Sequence, residues 1–154
     1  MSTAATPLTV LLAEDDQGHA TLIRRNLARA GLGNDVAHVT DGQQALDYLF
    51  RRGTFADRQP GKNILLLLDI NLPLIDGFDV LRQIKANEAT ARTPVILLTT
   101  TDDPRDVAKG YELGCSVYVV KPLQYEAFVE AIHRLGLFLG IVHLPPPALG
   151  GGED

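Results

Sequence analysis

The stretch "LLLLDINLPLIDG", Leu65 to Gly77, joins four consecutive leucines directly to an aspartate, Asp69. An apolar run without alternation is typical of a strand that is covered on both faces, as in a parallel sheet. A proline and a glycine follow within a few residues, which indicates a turn after the strand. The stretch therefore predicts a rigid, buried strand that carries a carboxylate to one edge of a sheet.

Strand-like and helix-like segments alternate on both sides of this stretch. The predicted strands are Leu8–Ala13, Asp35–Val39, Ile64–Asp69, Pro94–Thr100 and Ser116–Val120, and the predicted helices are Gln17–Ala30, Asp41–Phe50, Phe78–Ala86, a helix that opens at Asp103 and Pro104, and Glu126 to about Phe138. Five such units predict an α/β fold, a doubly wound five-stranded parallel sheet with helices on both faces. Right-handed crossovers and the chain length favour the flavodoxin-like strand order 2-1-3-4-5.

The composition sets limits on the class of protein. The chain has 154 residues and a net charge of -5, from 14 basic and 19 acidic side chains, so it lacks the basic footprint of a nucleic-acid or anionic-membrane binder. Its single cysteine, Cys115, cannot form an internal disulfide, and no apolar run reaches the length of a membrane span. We expect a cytoplasmic protein without nucleic-acid or membrane partners, in which Cys115 is a small buried residue.

The chain is expected to fold as one domain between two short termini. Residues 1–7 are predicted to be a disordered N-terminus, residues 8–144 the folded domain, and residues 145–154 a Pro/Gly-rich tail. Nothing after Leu144 reads as a DNA-binding module.

Polar side chains follow the strands at the edge where ligands bind in open α/β sheets, outside the carboxyl ends of the strands. Glu14 and Asp15 follow the first predicted strand and Asp69 ends the third, and these strands are neighbours in the order 2-1-3-4-5. Thr99 closes the fourth strand and Lys121 follows the fifth. We expect all five side chains to meet at one rim.

Such a group of carboxylates requires a counter-charge. Two carboxylates about 4 Å apart repel by roughly 4 kcal/mol at an effective dielectric of about 20, so the cluster should hold a proton or bind a cation. An all-oxygen donor set favours a hard ion, with Mg²⁺ as the first choice and Mn²⁺ as a substitute. Asp69 is then placed to attack a phosphoryl group, while Lys121 and Thr99 would contact its oxygens.

Four segments, "LLAEDD", "LLLLDINLPLIDGF", "PVILLTT" and "YVVKP", follow one another in the order found in two-component response-regulator receiver domains. The resemblance covers roughly Leu8 to Leu139. It implies that a partner histidine kinase transfers a phosphoryl group to Asp69, and that the protein is a switch that catalyses only its own phosphorylation and dephosphorylation. Because nothing after Leu144 reads as a DNA-binding module, we expect the output of this switch to be a protein contact or a phosphorelay.

The same resemblance implies roles for further residues. Glu14 and Asp15 would be the acidic pair, with Asp15 a direct Mg²⁺ ligand, and the backbone carbonyl of Asn71 would be a further ligand. Thr99 and Tyr118 would form a switch pair, in which the hydroxyl moves to the phosphoryl group and the aromatic ring turns inward.

Two segments resemble a narrower group, the single-domain regulators paired with phytochrome-type photoreceptor kinases. One is the long connection "RRGTFADRQPGKN", residues 51–63, and the other is the apolar end "LGLFLGIVHLPPP", residues 135–147. This resemblance implies a phytochrome-type kinase as partner and a homodimer. The predicted dimer interface consists of Leu135, Phe138, Leu139, Ile141 and Val142. The alternative is that this apolar segment folds back over its own sheet.

Two other functions remain open. A Mg²⁺-dependent phosphohydrolase would commonly carry a second aspartate two residues after the nucleophile, where this chain has Asn71, which cannot act as a general acid. A scaffold would keep the fold and leave Asp69 unphosphorylated. Among the remaining polar residues, Asp16 and Asp103 are predicted to be N-caps and Asp76 a turn or cap residue. Lys62 and the arginines of the long connection are predicted to be solvated, and the four histidines not catalytic.

Overall fold

The computed structural model describes residues 8–32, 35–60 and 63–139, without the side chains of residues 125 and 135–139. In these ranges the strands are β1 (Leu8–Ala13), β2 (Val36–Val39), β3 (Asn63–Leu68), β4 (Val95–Thr99) and β5 (Val117–Val120), and the helices are α1 (Gln17–Arg29), α2 (Gly42–Phe50), α3 (Gly77–Lys85), α4 (Pro104–Glu112) and α5 (Tyr125–Leu139). The predicted α/β element order is confirmed, with boundaries shifted by at most one residue.

The sheet is parallel throughout, and its strand order is β2-β1-β3-β4-β5, as predicted. The register aligns Ala13, the last residue of β1, with Leu68, the last residue of β3. Thr99, the last residue of β4, is paired in the same way with Val120 of β5. The carboxyl ends of these strands therefore lie along one edge, so the residues that follow them are neighbours.

The leucine run of β3 is buried on both faces of the sheet, which is why it does not alternate with polar residues. Leu66 and Leu68 contribute to the core that α2 and α3 cover, whereas Leu65 and Leu67 contribute to the core that α1 and α5 cover. Each buried leucine side chain stabilises the fold by about 1.5–3 kcal/mol relative to an exposed one. The central strand is thus a fixed support for whatever follows it.

Aspartates cap the N-termini of four helices. The carboxylates of Asp16, Asp76 and Asp103 accept backbone N–H bonds at the starts of α1, α3 and α4, which confirms the predicted caps. Asp41 was expected to be the first residue of the second helix, but it is extended and caps α2 by accepting a bond from the N–H of Gln44. An N-cap has non-helical backbone angles, which shifts the start of α2 to Gly42.

The connection between α2 and β3 contains a turn and packing contacts that the sequence did not predict. It contains a 3₁₀ turn, Gly53–Phe55, and the ring of Phe55 packs edge-on against Tyr48 with 5.1 Å between ring centroids. Arg58 is only partly solvated, contrary to expectation: its guanidinium lies 4.5 Å from the Tyr48 ring centroid and donates to the carbonyl oxygen of Tyr48 at 2.8 Å. The last carbonyls of a helix have no partner inside it, and Arg58 supplies one.

Some expectations concern residues outside the described ranges. These are the disordered termini, residues 1–7 and 145–154, and two residues of the predicted dimer interface, Ile141 and Val142. Cys115 is buried, as predicted, and burial raises the pKa of its thiol. Within the described part of the chain, no helix combines the length and apolar character that crossing a bilayer requires.

Candidate functional site

The ends of the strands continue their backbone pairing for one residue, and this pairing places the polar side chains. The N–H of Asp69 donates to the carbonyl oxygen of Ala13 at 3.1 Å, and the N–H of Lys121 donates to that of Thr99 at 2.7 Å. Glu14 follows Ala13 directly. The acids and the lysine are therefore held at the edge of the sheet by ladder-like bonds rather than by a free loop.

Lys121 joins the carboxylates into one buried cluster. Its Nζ lies 2.5 Å from Oε1 of Glu14 and 3.1 Å from Oδ2 of Asp69. A third contact, also 3.1 Å, goes to Nδ1 of His19. The lysine is 2% exposed and Glu14 is 1% exposed, so this is an ion pair inside the protein rather than a surface salt bridge.

Burial controls the protonation of Glu14. Desolvation raises the pKa of this carboxyl to about 7, against the opposing effect of Lys121, while the charge of Asp69 adds to the rise. The second oxygen of Glu14 accepts a bond from the N–H of Asp16 at 3.2 Å. The raised pKa of Glu14 therefore comes mainly from burial, with a smaller contribution from the repulsion by Asp69.

The geometry fits a hard divalent cation. Glu14, Asp15 and Asp69 each offer one carboxylate oxygen, and these atoms lie within 4.8 Å of one another. Asp15 is exposed, so an ion could reach the cluster from solvent. Asn71, whose carbonyl oxygen was predicted as a further ligand, lies next to the cluster, and its N–H donates to Oδ1 of Asp69 at 3.2 Å.

Thr99 presents a hydroxyl without a hydrogen-bond partner. The residue is fully buried at the end of β4, and its Oγ1 is one of two buried side-chain atoms in the described ranges that make no hydrogen bond. A buried, unpaired hydroxyl costs about 1–3 kcal/mol. A ligand oxygen at this edge of the sheet would remove that cost.

Tyr118 lies on β5, beside the strand that carries Thr99. It is partly buried, and its hydroxyl donates to the carbonyl oxygen of Thr101 at 2.8 Å. Burial raises the pKa of this phenol. The ring is thus tied to the loop that begins directly after Thr99, which brings the two predicted switch residues into one connected region.

The glycine at position 77, shortly after the strand that leads to Asp69, is required for a steric reason. It is the first residue of α3, and a Cβ built on it would lie 2.4 Å from the backbone oxygen of Asp69. Only glycine permits an approach this close. The close approach that requires this glycine is not visible in the sequence.

Two histidines at the site were missed from the sequence. His19, on the first turn of α1, contacts Lys121, and Nε2 of His38, on β2, lies 2.8 Å from the carbonyl oxygen of Glu14. Neither histidine is spaced from another histidine as metal ligands usually are, so the sequence pattern did not indicate a role for either one. The available signal was position: His19 stands four residues after Asp15, where the first helix begins beside the acidic edge.

Comparison with known proteins identifies the class of protein that this fold and site define. Residues 10–133 match the family model described as "Response regulator receiver domain". The chain belongs to the response-regulator receiver domain family, whose members are the phospho-acceptor components of two-component signalling.

Two curated relatives extend over nearly the whole chain. The "probable methanogenesis regulatory protein FilR2" of Methanothrix harundinacea is 35% identical over 94% of this chain and 92% of its own length. The response regulator Rcp1 of Synechocystis sp. is 33% identical over 90% of this chain and 94% of its own length.

Solved structures agree with the fold. A receiver domain from Rhodospirillum rubrum is 45% identical, with a TM-score of 0.83 over 90% of this chain and 98% of its own. The Mn²⁺-bound form of Rcp1 is 32% identical, with a TM-score of 0.82 over 89% and 98% of the two chains. The phosphorylated cyanobacterial phytochrome response regulator RcpA is 31% identical, with a TM-score of 0.82 over 92% and 99%.

Proposed function

We propose that this protein is a phospho-acceptor switch that receives a phosphoryl group from a histidine kinase on Asp69 in a Mg²⁺-dependent reaction. The observation that carries the proposal is the buried ammonium of Lys121, bonded to both Glu14 and Asp69 beside the exposed Asp15. This arrangement provides a nucleophilic carboxylate, a cation for the phosphoryl oxygens and a carboxylate set for a metal. The phosphorylated structure of the similar RcpA supports the same chemistry.

The transfer can be written with every bond accounted for. An oxygen of the Asp69 carboxylate attacks the phosphorus, the bond from phosphorus to the donor's histidine nitrogen breaks, and the nitrogen leaves with the electron pair. Mg²⁺ held by Glu14, Asp15, Asp69 and the Asn71 carbonyl would offset the charge of the phosphoryl oxygens. The Mn²⁺-bound form of Rcp1 supports a divalent ion at such a site. Lys121 donates to one phosphoryl oxygen, which replaces its bond to the Asp69 carboxylate.

The Thr99 hydroxyl supplies the response to phosphorylation. It has no partner before the transfer, and we propose that it donates to a phosphoryl oxygen afterwards. A hydrogen bond to a charged group is worth about 1.5–3 kcal/mol, whereas moving an equilibrium from 1:99 to 99:1 needs about 5.5 kcal/mol. Thr99 and Tyr118 alone therefore give a partial shift, and a partner or a second copy supplies the rest.

The proposed donor is a phytochrome-type kinase, and the proposed assembly is a cytoplasmic homodimer. RcpA is a phytochrome response regulator, and the chain covers 99% of that structure. FilR2, which matches 94% of this chain, is named as a probable methanogenesis regulatory protein, so the pairing has to be tested directly. The test is transfer from an autophosphorylated phytochrome kinase, compared with transfer from an unrelated histidine kinase under the same conditions. Faster transfer from the unrelated kinase would contradict the pairing.

The phosphohydrolase alternative has little support at the site. Asn71 occupies the position where such an enzyme would need a second acid, and only its backbone N–H contacts Asp69. We propose that the protein catalyses only its own phosphorylation and dephosphorylation. Many turnovers of a phosphate ester per site would contradict this assignment.

The decisive experiment is intact-protein mass spectrometry after incubation with acetyl phosphate, with and without Mg²⁺. We expect one phosphoryl adduct that requires Mg²⁺ and is absent from Asp69→Asn. Asp57→Asn is the matched control, because Asp57 is an exposed aspartate in the α2–β3 connection and should be phosphorylated like the parent. Absence of an adduct from the parent would leave the scaffold function, and an adduct on Asp69→Asn would refute the site.

A further inference from the structure

The ammonium of Lys121 has three N–H bonds, and the structure shows an acceptor for each. Two are the carboxylate oxygens of Glu14 and Asp69, and the third is Nδ1 of His19 at 3.1 Å. An ammonium group has no lone pair and can only donate. With a charged Lys121, Nδ1 of His19 accepts this bond in the tautomer that carries its proton on Nε2, and Oδ2 of Asp16 lies 3.9 Å from the same Nδ1, beyond hydrogen-bond distance.

His19 is itself held from two sides. Its backbone N–H donates to Oδ1 of the N-cap Asp16 at 3.0 Å, which fixes the residue on the first turn of α1. Its ring meets Phe128 of α5 edge-on, with 5.2 Å between ring centroids and 84° between ring planes. Since α1 and α5 pack on the same face of the sheet, the imidazole has a defined position beside the buried lysine.

We infer that His19 is a positioning residue for Lys121, and that it sets the rates at which Asp69 gains and loses a phosphoryl group. The inference rests on the proposed function of Asp69. When Asp69 becomes an acyl phosphate, Lys121 redirects the N–H that pointed at its carboxylate toward a phosphoryl oxygen. The bonds to Glu14 and His19 hold the nitrogen in place during that change.

The same anchor acts in hydrolysis. Water attacks the phosphorus, the bond between phosphorus and the Asp69 oxygen breaks, and the carboxylate leaves with the electron pair while the water's proton passes to solvent. Lys121 faces the same oxygens in both directions, so the loss of its anchor slows both reactions. A displacement of about 1 Å in a reacting site can reduce a rate about a hundredfold, and a partial loss of orientation should cost about tenfold.

Two substitutions distinguish the contribution of the Nδ1 acceptor of His19 from that of its aromatic ring. His19→Phe retains an aromatic ring against Phe128 and removes Nδ1, whereas His19→Asn places Oδ1 near the position of Nδ1 and removes the ring. With acetyl phosphate as donor, we expect His19→Phe to lower both rate constants about tenfold and His19→Asn to recover them to within about threefold of the parent. The Mg²⁺ affinity should be unchanged, because the carboxylate ligands are on other residues.

Three results of this experiment would contradict the proposed role of His19. Parent-like rates in His19→Phe, or equally slow rates in both variants, would overturn the inference. Slow rates that accompany weakened Mg²⁺ binding would also overturn it, because they would indicate a general disturbance of the site.

A measurement on the unphosphorylated protein tests the anchor separately from the phosphorylation of Asp69. Hydrogen exchange of the Lys121 ammonium, followed by ¹⁵N NMR, should be slow in the parent, fast in His19→Phe and slow again in His19→Asn. Equal exchange in all three proteins would overturn the inference even if the parent is phosphorylated. If the parent takes no phosphoryl group, the proposed function fails, and with it the role of His19 in transfer.

Discussion

A buried ammonium such as that of Lys121 is destabilising unless other groups match its charge, because desolvation costs several kcal/mol per ion. Lys121 is 2% exposed, and its partners are two buried carboxylates and an imidazole. Removing one member of such a buried pair typically costs about 3–5 kcal/mol. At the residue scale, the groups proposed to move phosphate are therefore also part of what keeps the protein folded.

Thr99, unlike Lys121 and its partners, reduces the stability of the unphosphorylated protein, because its buried hydroxyl has no hydrogen-bond partner. We predict that Thr99→Val, which keeps the shape and removes the unpaired hydroxyl, raises the free energy of unfolding of the unphosphorylated protein by about 1 kcal/mol. The variant should still accept a phosphoryl group and show a smaller conformational change. Urea denaturation and NMR shift changes on phosphorylation would measure the two effects.

Thr100→Val is the control for this prediction, because Thr100 is the adjacent residue and is exposed. It should change neither stability nor response. A conformational change as complete in Thr99→Val as in the parent would remove the proposed switch role.

The raised pKa of Glu14, about 7, predicts a pH dependence. In the metal-free protein the folded state binds this proton more tightly than the unfolded state does, so the free energy of unfolding falls as pH rises from about 4.5 to 7. Mg²⁺ competes with the same proton. The apparent affinity for Mg²⁺ should therefore increase with pH, by up to about tenfold per pH unit below pH 7, and should be constant above pH 7.

Isothermal titration calorimetry with Mg²⁺ at several pH values between 5.5 and 8 would measure this effect. Glu14→Gln is the comparison, because its amide does not titrate, and its weaker Mg²⁺ binding should depend less on pH in this window. A Mg²⁺ affinity of the parent that is constant over the whole range would contradict the prediction.

At the scale of elements, three side chains tie the connection between α2 and β3 to the end of α2: Arg52, which pairs with Asp47, Phe55, which packs against Tyr48, and Arg58. Arg58 donates to the carbonyl oxygens of Tyr48 and Leu49 and lies over the Tyr48 ring. Arg58 is half-buried, and burial lowers the pKa of its guanidinium. A connection of this length adds little to stability unless side chains attach it to the core, and Arg58 is one of the side chains that do so.

We predict that Arg58→Ala lowers the free energy of unfolding by about 1–3 kcal/mol, because it removes hydrogen bonds from a charged group and a cation–π contact. Arg58→Lys should recover only part of this loss, since lysine lacks the planar fork that reaches both carbonyls. Urea denaturation monitored by circular dichroism would give the values.

Arg105→Ala is the matched control for Arg58. The Arg105 side chain is 90% exposed and pairs with Asp103 on the surface, so its loss should cost less than about 1 kcal/mol. A loss in Arg58→Ala no larger than in this control would mean that the connection does not depend on Arg58.

Helix α4 is attached to the sheet more lightly than the other helices. Gly110 is its one buried residue, and a Cβ there would lie 2.7 Å from Cδ1 of Leu97. The helix therefore approaches the sheet through backbone rather than through a set of apolar side chains. A helix anchored in this way, next to Tyr118 and the loop after Thr99, is suited to move when that loop moves.

At the scale of the whole molecule, the proposed dimer rests on the apolar C-terminal segment of the sequence. Its predicted contacts include Leu135, Phe138 and Leu139, whose side chains are outside the described part of the structure. We predict that Phe138→Asp converts a dimer to a monomer, because a charge in an apolar interface is strongly unfavourable. Multi-angle light scattering would measure the mass.

Leu74→Asp is the control for the dimer test. Leu74 is 80% exposed, lies in the β3–α3 loop and has a backbone φ of 68°, a conformation that aspartate tolerates better than leucine does. It should leave the mass unchanged. An unchanged mass in Phe138→Asp would favour the alternative, in which the segment covers its own sheet.

The sequence alone determined the elements and their order, because burial imposes a local pattern. The leucine run of β3 indicated a strand covered on both faces, and the aspartates before α1, α3 and α4 indicated helix starts. Strand-end chemistry then predicted which edge carries Glu14, Asp69 and Lys121. Each of these inferences uses residues that are neighbours in the chain or ends of elements that the topology aligns.

Only the tertiary structure decided which atoms meet. The bond from Lys121 to His19 spans 102 positions of sequence, and the unpaired hydroxyl of Thr99 and the insertion of Arg58 at the end of α2 are equally invisible in local patterns. Such contacts depend on strand register, helix placement and side-chain rotamers, which are set together when the chain packs. Local periodicity determines which face of an element is buried, but only packing determines which partner a buried polar group finds there.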